Sequence, residues 1–182
     1  MPRLAAHAVP WLRIDKHRIY AVGSSMGGQE TLLLVAQHPH LLIAAAALDS
    51  ATDMAARYRA FPRLRGGAYL QFLARSEIGG TPRSNGSAYR RRSPITYARQ
   101  IAWSPTRLLI WWSKRDQIVR HQESESGALY RAIIAADPSS HVVQHVGVWA
   151  HSREFYATAQ LPSVLVQLGL IELSEPPPRT AL

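Results

Sequence analysis

The chain has no cysteine. Disulfide bonds, a thiolate nucleophile and cysteine-ligated zinc are therefore excluded. Lysine is almost absent, confined to Lys16 and Lys114, and acidic residues are sparse. Asp and Glu total 12 against 21 Lys plus Arg, a net charge of +9. Arginine thus carries the positive charge, most densely at Arg90, Arg91 and Arg92. No helix-turn-helix pattern, zinc spacing or aromatic ribonucleoprotein motif surrounds that cluster. It reads as a solvated surface, and nucleic acid is not an expected partner. No run of about eighteen apolar residues occurs, so no membrane span and no membrane partner is expected. The opening stretch "MPRLAAHAVPWLRIDKHR" combines no apolar core with a small-residue cleavage site. It does not read as a secretory signal, and a cytoplasmic location is the expectation. There is no internal repeat, and the proline-rich tail over 174–182 is expected to be disordered.

What is present suits one globular domain over 1–182. Apolar residues make up 47% of 182 residues, enough for a sizeable core. "RIYAVG", from Arg18 to Gly23, is short, apolar and bounded by charge and glycine, as a buried strand is. Gly27 to His38 reads as a helix ended by Pro39, with Glu30 in its first turn facing the positive helix end. "LIAAAAL", Leu42 to Leu48, is ambiguous by periodicity, and its position after a helix favours a strand. "RLLIWWS", Arg107 to Ser113, is the clearest strand, and "HVVQHVGV", His141 to Val148, is a fourth. Helices are expected over about Glu123 to Ala136, over Arg153 to Gly169 with a break at Pro162, and over Leu4 to Leu12. Strand alternating with helix argues for an α/β fold with a parallel sheet flanked by helices. Residues 51–106 break this rhythm. They read as a helical excursion between the second and third strands, rich in aromatic residues that either line an apolar pocket or simply pack.

"GSSMG", Gly23 to Gly27, places Ser25 at the centre of G-x-S-x-G. An apolar strand precedes it and an apolar helix follows. Such a turn strains the serine backbone and exposes its hydroxyl. Glycines two residues either side are expected to let the strand and helix pass closely, so Gly23 and Gly27 are read as elbow glycines. Ser24 lacks that frame. A serine hydroxyl needs a histidine to take its proton and a carboxylate to orient the histidine. Asp116 follows the strand "RLLIWWS" in the loop "KRDQIV", and His151 follows the fourth strand in "WAHSREF". Asp49 and Asp53, after the second strand, are rival acids. His145 lies within a strand, His121 lies beyond the acid loop, and His38 and His40 sit at the far end of the first helix.

With these residues in place the chain resembles the α/β-hydrolase superfamily, and more narrowly the prolyl oligopeptidase-like serine hydrolases. The likeness rests on "DKHRIYAVGSSMGG", "RSPITYARQI", "RLLIWWSKRDQIV" and "VGVWAHS". It runs from about Asp15 to His151. Ser113 stands where the acid loop of such enzymes has glycine. The resemblance implies Ser25 as nucleophile, His151 as base, Asp116 as acid and the Met26 backbone N–H as an oxyanion donor. It implies a small-molecule or peptide substrate carrying an ester or amide, and no metal or organic cofactor. It also implies that four strands preceding the elbow strand are absent, with the loop that supplies the second oxyanion donor. The Arg18–Gly23 strand would then be a sheet edge. Three explanations stay open: the sequence starts late, another chain completes the sheet, or two copies pair these edges as a homodimer. The alternative reading of function is a truncated or diverged hydrolase domain without catalysis, acting as a subunit or binding module.

Overall fold

The computed structural model describes residue 15 and residues 17–153 and 160–171. The helix expected over Leu4 to Leu12 and the tail over 174–182 lie outside the described residues.

Four parallel strands form one sheet in the order β1 (Tyr20–Ser24), β2 (Ala44–Leu48), β3 (Arg107–Ser113), β4 (Val142–Gly147). The α1 helix (Met26–Gln37) connects β1 to β2. A series of short elements, the excursion, leads from β2 to β3. They are α2 (Met54–Ala60), α3 (Gly67–Ile78), α4 (Gly86–Arg91), a 3-10 turn (Pro94–Tyr97) and α5 (Ala98–Ala102). A short 3-10 turn, Phe61–Arg63, extends α2. The α6 helix (Ser126–Ala136) connects β3 to β4, and α7 (Gln160–Gln167) follows β4. The expected α/β architecture is therefore present, with its excursion between the second and third strands. Pro162 lies in the first turn of α7, where its missing N–H leaves no intrahelical bond unmade.

Alternation along each strand builds two cores. Ala45, Ala47, Leu108, Ile110 and Trp112 face α1, α5 and α6, which contribute Leu32, Val35, Ile101, Leu129 and Ile133. Ala44, Ala46, Leu48, Leu109 and Trp111 face the other way, onto Trp149, Val164 and Leu168. Each large aliphatic side chain buried this way contributes about 1.5–3 kcal/mol.

β2 is the instructive strand. "AAAAL" has a helix former's composition, yet it lies between β1 and β3 with all five residues buried. A strand with neighbours on both sides satisfies every backbone group through the ladder, and alanine lets helices approach both faces. Tertiary context overrides propensity here. Glu30 is a smaller correction. The helix opens at Met26, so Glu30 falls in its second turn, and no acidic residue occupies the first. The macrodipole acts within the first turn, so Glu30 gains little from it.

Candidate active site

Ser25 is the residue between β1 and α1, at φ 56° and ψ −118°. Side chains other than glycine avoid this region, at a cost of about 1–3 kcal/mol. The surroundings hold it there: the Ser25 N–H donates to the Leu48 carbonyl at the end of β2, 2.9 Å away. Gly23 is required by contact. A Cβ there would lie 2.1 Å from the Gly27 carbonyl oxygen and 2.7 Å from Thr31 Oγ1. Gly27 departs from the sequence expectation, because a Cβ there meets nothing within 4 Å. The second close approach falls at Gly28, where a Cβ would lie 2.1 Å from Ser50 Oγ and 3.1 Å from the Leu48 carbonyl oxygen. The helix turns Gly27 outward and Gly28 onto β2. The doublet "GG" was visible in the sequence, but which glycine faced the sheet was not.

Asp116 and His151 come together. His151 Nδ1 lies 2.8 Å from Asp116 Oδ2. Asp116 is fixed before it meets the histidine. Its Oδ1 accepts the N–H groups of Ile118 and Val119, both at 2.8 Å. Its Oδ2 also accepts from Gln122 Nε2 at 3.1 Å. Ser126 donates to Gln122 Oε1 at 2.8 Å, which aims the amide nitrogen at Asp116. Gln122 gave no sequence signal, since it reaches Asp116 only because the loop doubles back.

The loops carrying Ser25 and His151 abut. Ser24 Oγ and Ser152 Oγ, on the residues adjacent in sequence, are 2.7 Å apart. Among the described residues the Ser25 hydroxyl itself makes no hydrogen bond to His151.

Asp49 and Ser113 tie the strand ends to the histidine loop. Asp49 is fully buried and sits at φ 44°. It accepts the Ser113 N–H at 2.9 Å, the Trp149 indole N–H at 2.9 Å and the Ser152 N–H at 3.0 Å. Burial raises its pKa, the charge of Asp116 adds to this, and the three N–H donors oppose it. Ser113, the departure from glycine in the acid loop, accepts the N–H groups of Trp149 and Arg115 at 2.8 and 3.0 Å. Its own hydroxyl donates to the Trp149 carbonyl. Donor atoms of Asp49, Asp116 and His151 lie within 4.8 Å of one another, close enough to suit a metal ion. The Asp49 and Asp116 oxygens already accept protein N–H groups, so this set is arranged to orient rather than to coordinate.

Of the two rival acids, Asp53 serves elsewhere, accepting the Ala55 and Ala56 N–H groups as the N-cap of α2. Glu125 was not singled out by sequence and has a comparable structural role. Its Oε2 accepts Thr52 N–H at 2.7 Å, Thr52 Oγ1 at 3.0 Å and Asp53 N–H at 2.8 Å. Burial raises its pKa against those donors. Among the other histidines, His145 stacks on Trp149 and Trp111. His121 precedes a 3-10 turn, Gln122–Ser124. A cavity of about 420 Å³ opens beside Met26. Met54 and Phe61 from α2 and its extension, with Leu70 and Ala74 from α3, line it. Phe61 is thus the excursion aromatic that meets this cavity, whereas Tyr58 lines a separate pocket, Tyr89 is core, and Tyr69 and Phe72 are exposed.

No curated protein matches the chain. Among solved structures, uncomplexed Pyrococcus horikoshii acylaminoacyl peptidase superposes with a TM-score of 0.69 at 21% identity. That match covers 96% of this chain and 27% of the other. Porphyromonas gingivalis dipeptidyl peptidase 4 matches with a TM-score of 0.63 at 23% identity, over 90% of this chain and 20% of the other. A Mycobacterium tuberculosis puromycin-hydrolyzing peptidase matches with a TM-score of 0.63 at 20% identity, over 90% and 22%. These likenesses establish a shared fold, and the chain spans about a quarter of the length of the structures it matches. The sequence profile of the prolyl oligopeptidase family matches residues 4–146, most of the chain. The chain belongs to the prolyl oligopeptidase family.

Proposed function

We propose that this chain cleaves an ester or amide bond through an acyl-enzyme formed on Ser25. His151 takes the Ser25 proton as the hydroxyl attacks the carbonyl, then returns it to the leaving group. Asp116 orients the imidazole through Nδ1 and stabilises the imidazolium that forms. The Met26 N–H, first in α1, donates to the developing oxyanion. Water then attacks the acyl-enzyme, with His151 as base again. The carrying observation is the 2.8 Å contact between His151 Nδ1 and Asp116 Oδ2, which leaves the other ring nitrogen for the serine. The strained Ser25 backbone and the Ser24–Ser152 contact support the same assignment. Substrates are small esters or peptides. Esters are the stronger expectation, because amide leaving groups ask more of the oxyanion donors. Losing one such donor costs about 10²–10³ in rate in a well-studied protease.

A fluorophosphonate probe with Ser25→Ala as control tests this reading, since the probe reacts with serines that a histidine activates. Labelling that vanishes in Ser25→Ala is expected. A folded wild-type chain that takes no label would sink the assignment. The second reading, a subunit or binding module without catalysis, has one observation in its favour. Among the described residues β1 is a terminal strand of the sheet. Its outer backbone groups are open to pairing by a second copy or by strands from another chain. Size-exclusion chromatography with light scattering distinguishes a paired from an unpaired state.

A further inference from the structure

Arg57 is a mostly buried arginine whose guanidinium meets no hydrogen-bond acceptor among the described residues. It lies on α2 and is only 7% exposed. Arginine is rarely buried unless its donors are matched. Its guanidinium has five N–H donors. Among the described residues it donates none of them in a hydrogen bond, and the ion pair present joins His151 to Asp116. The guanidinium carbon stands 5.2 Å from the centre of the Phe61 ring. Burial lowers its pKa, and the charges of Glu125 and Asp116 act against that. No ion pair or hydrogen bond joins Glu125 to Arg57 among the described residues, and Glu125 Oε2 is engaged by Thr52 and Asp53.

Its placement points toward the substrate. Met54, Arg57 and Phe61 follow the i, i+3, i+7 spacing of one helix face. Met54 and Phe61 line the cavity that opens beside Met26, next to Ser25. Arg57 itself does not line the cavity but lies behind its wall, its guanidinium against the Phe61 ring and within electrostatic reach of Asp116, the acid of the proposed triad. Arg91 and Arg92 share the cavity lining with Glu30 and Glu77, whereas Arg57, near the charges of Glu125 and Asp116, donates no hydrogen bond among the described residues. A neutral carbonyl would occupy part of the guanidinium fork. A carboxylate fits it with two parallel hydrogen bonds and neutralises the charge.

We propose that Arg57 is a specificity-determining residue that binds a carboxylate on the acyl side of the substrate. The preferred substrate class is then esters or amides whose acyl part bears an acidic side chain. This rests on the serine-hydrolase reading for its catalytic meaning, but the binding step can be measured without turnover.

The test is calorimetric titration of the whole chain with N-acetyl-glutamic acid α-amide and N-acetyl-glutamine α-amide. The two compounds differ only in the side-chain carboxylate. The wild type is expected to bind the glutamyl compound at least about ten-fold more tightly, the worth of one added charge-assisted hydrogen bond. Arg57→Gln should bring the two within about two-fold, and Arg57→Lys, with charge but no fork, should keep an intermediate preference. No preference in the wild type, including no binding of either compound, overturns the proposal. A preference that survives in Arg57→Gln overturns it too. Should Arg57→Gln not fold, Arg57→Lys decides alone, and an undiminished preference there counts against it. Where the chain turns over the matching p-nitroanilides, Arg57→Gln should raise KM for the glutamyl substrate and spare the glutaminyl one. An equal loss on both marks a structural role and overturns the assignment. Fluorophosphonate labelling with no preference refutes only Arg57. A preference without labelling refutes only the hydrolase reading.

Discussion

The elbow and the excursion sit side by side and are built on opposite principles. At the elbow, position is enforced by backbone contact. Ser25 is held at a strained φ, Gly23 is pressed against Gly27, and Gly28 against Ser50. In the excursion, one backbone approach recurs, Gly67 against the Phe61 carbonyl, but most positions come from side chains on short helices: Asp53 capping α2, Tyr58 edge-on to Tyr89, Arg57 over Phe61. The first arrangement tolerates little change and leaves a short motif. The second rests mainly on side-chain contacts and leaves no short motif.

The comparison is broken most severely at the triad. Ser25→Ala should lower fluorophosphonate labelling by at least about 10³-fold while the unfolding midpoint stays at or above the wild type's. Asp116→Asn should lower the labelling rate by a comparable factor, because it orients the wrong histidine tautomer. Labelling kinetics on both variants check this, and an unchanged rate in Asp116→Asn would transfer the acid's role to Asp49.

Next in size are the glycines. Gly23→Ala drives a Cβ into backbone and should destabilise the fold by about 3 kcal/mol or more. Gly28→Ala should also be strongly destabilising. Gly27→Ala, with open space around it, should be neutral or stabilising by about 0.5 kcal/mol. Urea denaturation of the three variants gives the ranking. A Gly27→Ala loss as large as that of Gly23→Ala would restore the symmetrical elbow expected from the motif.

Ser25→Gly sharpens the contrast between strain and function. Glycine accepts φ 56° and ψ −118° freely, so the variant should gain about 1 kcal/mol while losing all labelling. Thermal unfolding beside the wild type measures it.

The smallest effect is a pH slope in the region joining the two. Burial raises Glu125, so the native state keeps a proton at pH values where the unfolded chain has released it. Stability from this residue is therefore highest below the ordinary carboxylate pKa. It falls as pH climbs from that value to the raised one. Glu125→Gln should flatten that part of the profile of melting temperature against pH. An unchanged slope would assign it to Asp49, which burial shifts in the same direction.

Much of the fold was legible in the sequence. β3 was predicted over the residues it occupies, because "RLLIWWS" is apolar and bounded on both sides. The elbow, the acid loop and the histidine loop were legible because strand ends are marked by abrupt changes of composition. β2 was ambiguous, since alanine favours a helix and only strand neighbours overrule it. The roles of Gly28, Gln122, Ser113 and Arg57 were hidden for a common reason. Each depends on a contact with a residue distant in sequence or on which way a helix turns.

By itself, the sequence determined the order of elements, the serine at the strand-to-helix turn and a short set of acids and histidines at the ends of later strands. These follow from local sterics and hydrophobic periodicity, which act over a few residues. Only the tertiary structure decided that Asp116 rather than Asp53 meets His151. It also decided that Asp49 clamps the histidine loop, and that the Arg57 guanidinium is buried against Phe61 behind the cavity wall. Those outcomes depend on distances between chain segments far apart in sequence, and hydrogen bonds act only over a few ångströms.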